Sequence, residues 1–302
     1  INTKNQRRID MIYPEPIACP SGCFNISKDC KILFSCGMWN DDIQARTISS
    51  QCTKIASAEH RDIVTCLTLT KDGLYLISGS KDCTVVIWNI NTSSSLTSNS
   101  TLNLSSFWSS SKNKSQVFKV KQILYGHTDT ITCVQVSQEL DLVLSGSKDK
   151  TVNLYHFQSG KFLRSLKFNE PIGQIYLSSE GNFIVYGEET KTLSLYTING
   201  HLLQKRKTIL TRILNCTFSN DGKYFITAGV GNALIVRNIP SFNIVYLYEV
   251  PCSVFSIDFI NGNDLSFLVV GLMNGKIRII PFDTSNFLIN QPKEEIDPFA
   301  QA

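Results

Sequence analysis

The chain has 302 residues, 42% of them hydrophobic and 18% charged, with 29 Lys and Arg against 25 Asp and Glu for a net charge of +4. That much evenly spread apolar surface excludes a disordered chain, and no run approaches the ~18 consecutive apolar residues of a membrane span. The basic residues are dispersed, with small clusters only at 7–8 and 204–207, so the dense basic stripe of a nucleic-acid binder is absent.

Ten cysteines stand singly in apolar runs, as Cys66, Cys133 and Cys216 do, with no pair at Cys-x-x-Cys spacing. Cys19 and Cys23 are four apart but lack the second pair that a zinc site needs. They read as small buried hydrophobes in a reducing compartment, with no disulfide framework, no metal and no cofactor. The opening residue Ile1 is not Met, which suggests an excerpt of a longer protein, and without a basic-then-apolar leader the location expected is the cytosol.

Along the chain one pattern recurs: a short apolar strand, a glycine, a polar turn and a second alternating strand. The glycines are Gly37, Gly79, Gly146, Gly187, Gly229 and Gly271, spaced by 42, 67, 41, 42 and 42. Partner strands are expected at 84–90, 151–157, 193–198, 233–239 and 276–282, making six hairpins. Turns such as Asp72-Gly73, Gly181-Asn182 and Asp221-Gly222 precede the hairpins, and another strand, for example 121–125 or 161–166, follows the previous one. Four strands in about 42 residues make a propeller blade, so the fold class is all-β with six blades visible. Residues 1–16 are too few for another; a seventh is expected from upstream strands, because an open edge invites pairing.

The one long interval carries about 25 extra residues, at about 91–116, where eleven serines crowd. Such a segment buries too little to offset chain entropy, so it is expected to be a disordered loop on the lower side of the propeller. Phe107-Trp108 within it could serve as a docking peptide. The domains expected are therefore a lead-in at 1–16, the propeller at 17–285 and an extended tail at 286–302.

Two blades share one register: His60 to Asp82 and His127 to Asp149 are each 22 residues, and His60 to Trp88 and His127 to Tyr155 are each 28. With Gly126-His127 and the Ser-Gly-Ser-Lys-Asp runs at 78–82 and 145–149, the chain resembles the WD-repeat family. That resemblance implies a hydrogen-bonded network of His60, Ser78, Asp82 and Trp88 in one blade. In the next it implies His127, Ser145 and Asp149, with Tyr155 in place of Trp. A buried Asp is costly unless donors satisfy it, and a satisfied network fixes one geometry. A catalytic reading is disfavoured because the pair recurs in two blades and no nucleophile is apparent at matched spacing. The other four blades carry Asn40, Thr190, Asn232 and Asn274 in or near the Asp position, and are expected to rely on packing and sheet pairing alone. His156 and His201 fit no pattern and read as surface or loop residues. The loops around the paired His and Asp are expected to present Trp39, Arg61, Lys81, Thr128 and Lys148 to partner proteins.

The order of features is more specific than the fold. Residues 23–39, including Ser35-Cys36-Gly37-Met38-Trp39, then 62–67, a polar insertion, 126–147 and 221–229 with Val236-Arg237 resemble the C-terminal propeller of BEACH-domain proteins, the neurobeachin group. The resemblance implies a non-enzymatic interaction scaffold whose chain also carries BEACH and pleckstrin-like domains upstream. It further implies vesicle trafficking and membrane-protein sorting at endosome- or lysosome-related membranes, with protein partners and only indirect membrane contact. The alternative is a substrate-receptor or assembly propeller of a ubiquitin ligase or RNA-associated complex.

Overall fold

In a computed structural model, the residues described are 22–36, 41–48, 54–90, 117–219, 221–261 and 266–282. Gly37, Trp39, Asn40, the lead-in at 1–16, the serine-rich segment at 91–116 with Phe107-Trp108, and the tail at 286–302 lie outside them.

Every regular element among the described residues is a β-strand, and every ladder is antiparallel. Blade 1 contains β1 (Phe24–Ile26), β2 (Ile32–Ser35), β3 (Asp42–Thr47) and β4 (Lys54–Glu59). Blade 2 follows with β5 (Val64–Leu69), β6 (Tyr75–Ser80), β7 (Val85–Ile90) and β8 (Phe118–Leu124), so the serine-rich segment connects two paired strands. Blade 3 comprises β9 (Ile131–Ser137), β10 (Leu142–Ser147), β11 (Thr151–His156) and β12 (Phe162–Lys167). In blade 4 the strands are β13 (Ile172–Leu177), β14 (Asn182–Gly187), β15 (Thr192–Thr197) and β16 (Leu202–Lys207). Blade 5 has β17 (Arg212–Phe218), β18 (Tyr224–Val230), β19 (Ala233–Asn238) and β20 (Ile244–Glu249). Blade 6 shows three strands, β21 (Val254–Asn261), β22 (Ser266–Leu272) and β23 (Ile277–Phe282). No helix long and apolar enough to cross a membrane occurs among the described residues.

The first strand of each blade is innermost, and together these strands line a channel of about 490 Å³ that Asn25, Cys66, Gln135, Gln174, Asn215 and Asp258 border. Side-chain bonds stitch successive inner strands together. Asn25 Nδ2 donates to the Leu67 carbonyl (3.1 Å), Thr65 Oγ1 to Ile131 (2.5 Å), Thr132 Oγ1 to Ile172 (2.8 Å) and Gln174 Nε2 to Leu214 (3.2 Å). Each crosses a blade boundary, so backbone acceptors left over at the crowded centre are used.

Five apolar clusters fill the five seams from blade 1 to blade 6. The middle strands supply them because they are buried on both faces, as Tyr75–Ser80 and Val85–Ile90 are at nearly every position. Each fully buried Leu, Ile or Phe, such as Leu76, Ile87 or Phe183, contributes roughly 1.5–3 kcal/mol. The repeated glycine serves the same packing. A Cβ on Gly79 would lie 2.5 Å from Ile131, 2.7 Å from the Cys66 sulfur and 2.9 Å from Val134, and one on Gly146 would meet Ile172, Cys133 and Ile175 as closely. The glycine is therefore extended backbone approached by the next inner strand. Cys66, Cys133 and Cys216 lie on β5, β9 and β17, all buried.

The faces that a further seam would join look different. Phe255, Ile260, Ile277 and Ile279 on blade 6 are exposed by 51–73%, and Phe24 and Ile26 on blade 1 by 45% and 53%. The further blade expected from the sequence would fall between them.

Candidate functional site: the upper loops of blades 2 and 3

Residues 60–63 lead from β4 into β5, and residues 81–84 join β6 to β7; both lie at the same end of the strands, the upper face. Their meeting is directed by four side chains. Asp82 can only accept, so His60 Nδ1 carries the proton toward it (3.0 Å to Oδ2) and His60 Nε2 accepts from the Ser78 hydroxyl (2.6 Å). Ser78 Oγ in turn accepts from Trp88 Nε1 (2.8 Å). Asp82 takes three more donors: the Arg61 N–H (3.1 Å), the Thr84 N–H (2.9 Å) and the Thr84 hydroxyl (2.6 Å). One carboxylate thus ties two loops through four bonds.

Blade 3 repeats the arrangement. His127 Nδ1 donates to Asp149 Oδ2 (2.9 Å), the Ser145 hydroxyl donates to His127 Nε2 (2.7 Å), and the N–H groups of Thr128 (3.0 Å) and Thr151 (2.9 Å) and the Thr151 hydroxyl (2.6 Å) complete Asp149. Tyr155 stands where Trp88 does, with its hydroxyl beside Ser145, and it also donates to the Tyr125 carbonyl (3.2 Å), so it braces the chain before Gly126 as well.

Electrostatics follows from burial. Burial works against the Asp82 and Asp149 carboxylates, but the threonine hydroxyls and the Arg61 and Thr128 backbone donors outweigh it and hold both below the ordinary 3.8. Burial pushes His60 below 6.5 even though Asp82 pulls it up, so its imidazole is neutral, the form the network uses. Cys83, beside Asp82, is pushed up by burial and by Asp129, Asp82, Asp149 and Asp62, which keeps it a thiol and a poor nucleophile.

Ser78, His60 and Asp82 have the connectivity of a hydrolase triad, and so do Ser145, His127 and Asp149. The reading that no nucleophile stands at matched spacing is corrected to this extent: Ser78 and Ser145, the serines expected in the networks, are at matched spacing and place their hydroxyls on the histidine Nε2 atoms. Both serines are 0% exposed, and Trp88 occupies the remaining side of Ser78. A substrate carbonyl has no approach to either hydroxyl, so the geometry fixes loops and does not present a reacting atom.

A second correction concerns blade 4. Instead of relying on packing alone, it has a lock of reversed polarity: Glu170, from the loop before β13, accepts from the Thr190 N–H (2.9 Å) and from the Thr190 hydroxyl. The carboxylate lies over Gly187, where a Cβ would clash with it. Among the described residues Asn232 and Asn274 show no equivalent side-chain tie between loops; Gly231 N–H bonds Ser253 Oγ at 3.4 Å instead.

Of the five residues expected to face partners, Arg61, Lys81, Thr128 and Lys148 are exposed. Their backbones are fixed: Arg61 and Thr128 by the buried carboxylates, Lys81 N–H by the Ile63 carbonyl (2.9 Å) and Lys148 N–H by Thr130 (3.0 Å). Lys148 also borders a depression of about 230 Å³ with Thr132, Pro171, Ile172, Glu188 and Glu189. Those two glutamates were missed from sequence, although Glu188-Glu189-Thr190 stands where blades 2 and 3 have Ser-Lys-Asp. His156 makes a surface pair with Asp141 (3.1 Å), and His201 is exposed. No group of three or more His, Cys, Asp or Glu is arranged to hold a metal among the described residues.

Sheet order, blade seams and paired His-Asp locks together define a WD-type β-propeller, a scaffold-type fold. The sequence profile of the family described as neurobeachin beta propeller domain matches residues 2–286. The chain belongs to that family. It is 25% identical over 300 residues, 95% of its length, to BEACH domain-containing protein lvsE of Dictyostelium discoideum. It is also 31% identical over 223 residues, 72% of its length, to BEACH domain-containing protein B of Arabidopsis thaliana. A Caenorhabditis elegans neurobeachin homolog is 24% identical over 92% of the chain. The chain covers 13%, 8% and 11% of those relatives, so it corresponds to one module of much longer proteins.

Proposed function

We propose that this propeller is the protein-binding platform of a BEACH-type protein, without catalytic activity of its own. The parent protein would carry BEACH and pleckstrin-like domains and act in vesicle trafficking and membrane-protein sorting. It would sit on the cytoplasmic side of endosome- or lysosome-related membranes. The family match supports the BEACH context over a ubiquitin-ligase or RNA-associated propeller. The observation that carries the platform reading is the contrast at the upper face: loop backbones are pinned from below by buried networks while Arg61, Lys81, Thr128 and Lys148 project into solvent. Pre-organised loops bind with less ordering cost.

The test is a double charge reversal, Arg61→Glu with Lys81→Glu, in the full-length protein. Binding of a partner captured by wild type should weaken by about tenfold or more, as for loss of anchor residues. A double variant with wild-type melting temperature and undiminished partner affinity would remove the upper face from consideration.

A further inference from the structure

The perimeter of the disc is electrically uneven. Across 161–167 and 201–207 stand Lys161, Arg164, Lys167, Lys205, Arg206 and Lys207, with no Asp or Glu in either stretch. All six are exposed. They sit on or beside β12 and β16, the outer strands of adjacent blades, and the two blades are joined at this level. The Arg164 guanidinium donates to the Asn199 carbonyl, and Leu166 and Arg164 close over Gly200. The strands therefore form one wall.

Three exposed cations elsewhere on the molecule are ion-paired, Lys54 with Asp42 (3.1 Å), Lys71 with Glu139 (2.9 Å) and Arg212 with Glu188 (2.9 Å). Among the described residues none of the six wall cations has an ion pair. In the upper loops of blade 4, Glu170 is engaged with Thr190 and Glu188 with Arg212. Six uncompensated charges side by side repel one another, and a surface of opposite sign relieves that repulsion.

Lysine on an outer strand also discourages edge-to-edge pairing. That role would be served by charge alone, and it leaves the other half of the pattern unexplained. At the lower ends of the same strands Phe162 and Leu163 are each 47% exposed, Leu202 51% and Leu203 39%. On β8, the outer strand of blade 2, Val120 near the lower end is 46% exposed and Ile123 near the upper end 44%, with Lys119 between Phe118 and Val120. The outer strands β4 and β20, by contrast, end in Glu59 and Glu249.

On β16 the order is layered, with Leu202 and Leu203 at the lower rim and Lys205, Arg206 and Lys207 from two residues beyond Leu203 onward, about 7 Å higher at ~3.3 Å per residue; on β12 Arg164 and Lys167 stand above Phe162 and Leu163, while Lys161 lies at the lower rim itself. We propose that this wall docks directly on an anionic lipid bilayer, with Phe162, Leu163, Leu202 and Leu203 in the headgroup-acyl boundary, Arg164, Lys167, Lys205, Arg206 and Lys207 at and above the level of the lipid phosphates, and Lys161 at the rim reaching up to them. That depth matches the 5–10 Å reach of interfacial apolar side chains, and anionic headgroups attract Lys and Arg placed just above them. Three of the four apolar groups are aliphatic and offer no stacking platform, which disfavours a single-stranded nucleic acid. An acidic protein would satisfy the charges but has no intrinsic reason to present an apolar layer beneath a charged one.

The experiment is flotation of the purified full-length protein with phosphatidylcholine vesicles, with and without about 30 mol% phosphatidylserine. Wild type should float with the anionic vesicles, and less so as salt rises. The triple variant Lys205→Gln, Arg206→Gln, Lys207→Gln should lower vesicle affinity by about tenfold or more, each cation being worth roughly fivefold. Leu202→Ser with Leu203→Ser should lower it at unchanged charge, and Arg61→Gln with Lys81→Gln on the upper face should leave it unchanged. Other membrane contacts of the longer protein contribute equally to wild type and variants, so the difference reports the wall. Melting temperatures match the variants beforehand; if the triple variant does not fold, Lys205→Gln alone should show the fivefold step. Equal flotation of wild type and folded wall variants overturns the proposal. So does loss of an acidic protein partner with vesicle binding intact, which would make the wall a protein interface.

Discussion

At the scale of single residues the histidine-aspartate networks hold the upper loops by satisfying every strong acceptor on two buried carboxylates. Replacing Asp82 by Ala would strand the His60 Nδ1–H and the N–H groups of Arg61 and Thr84, at a cost of about 3 kcal/mol. The pH dependence has a defined sign. Because His60 is held below 6.5 in the fold, the unfolded chain binds more protons as pH drops under 6.5, and stability should begin to fall there. Asp82 and Asp149 are depressed below 3.8, so their contribution is present above that value and is lost as pH falls through their lower folded values. Urea titrations from pH 7 to pH 3 check this: His60→Asn should flatten the loss between pH 6.5 and the carboxylate range, and an unchanged slope would contradict the neutral-imidazole network. These networks were legible in sequence because the 22-residue interval occurs twice. The further bond of Tyr155 to the Tyr125 carbonyl was not, since register gives position but not how far a phenol reaches.

At the scale of elements the recurring glycine marks where one blade meets the next, and its tolerance should differ between blades. Gly79→Ala pushes a Cβ into Ile131, Cys66 and Val134, all packed, and should cost about 1–3 kcal/mol. The three atoms nearest a Cβ on Gly187 all belong to the Glu170 carboxylate, which can swing away, so the cost of Gly187→Ala should be nearer 1 kcal/mol, about the worth of the released bonds to Thr190. Denaturant midpoints of the two variants rank them; a Gly187 variant at least as damaged as the Gly79 variant would show that Glu170 is held more firmly than its half-buried position implies. The strands themselves were readable because glycine, turn residues and alternation all repeat at one period. Glu170 escaped notice for the complementary reason: Phe168 holds the place of His60 and His127, 19 residues before the glycine, and the lock is made two positions later, with donor and acceptor exchanged between loop and turn.

At the scale of the whole molecule two surfaces stand apart. The upper face offers fixed loops with Arg61, Lys81, Thr128 and Lys148, and the side wall offers unpaired cations above an apolar rim. The upper face was expected from the loops that flank the paired His and Asp, whereas the wall was not visible: residues 204–207 looked like a small solvated cluster because nothing in the chain order shows that β12 lies beside β16. The platform function is therefore a matter of which face meets protein. Lysine-directed cross-linking of the intact full-length protein in cells distinguishes them most directly, since Lys81 and Lys148 mark the upper face and Lys161, Lys167, Lys205 and Lys207 the wall. A protein-binding platform organised by the upper loops predicts cross-links to other proteins concentrated at Lys81 and Lys148; other-protein cross-links confined to the wall lysines, with none from the upper pair, would contradict it.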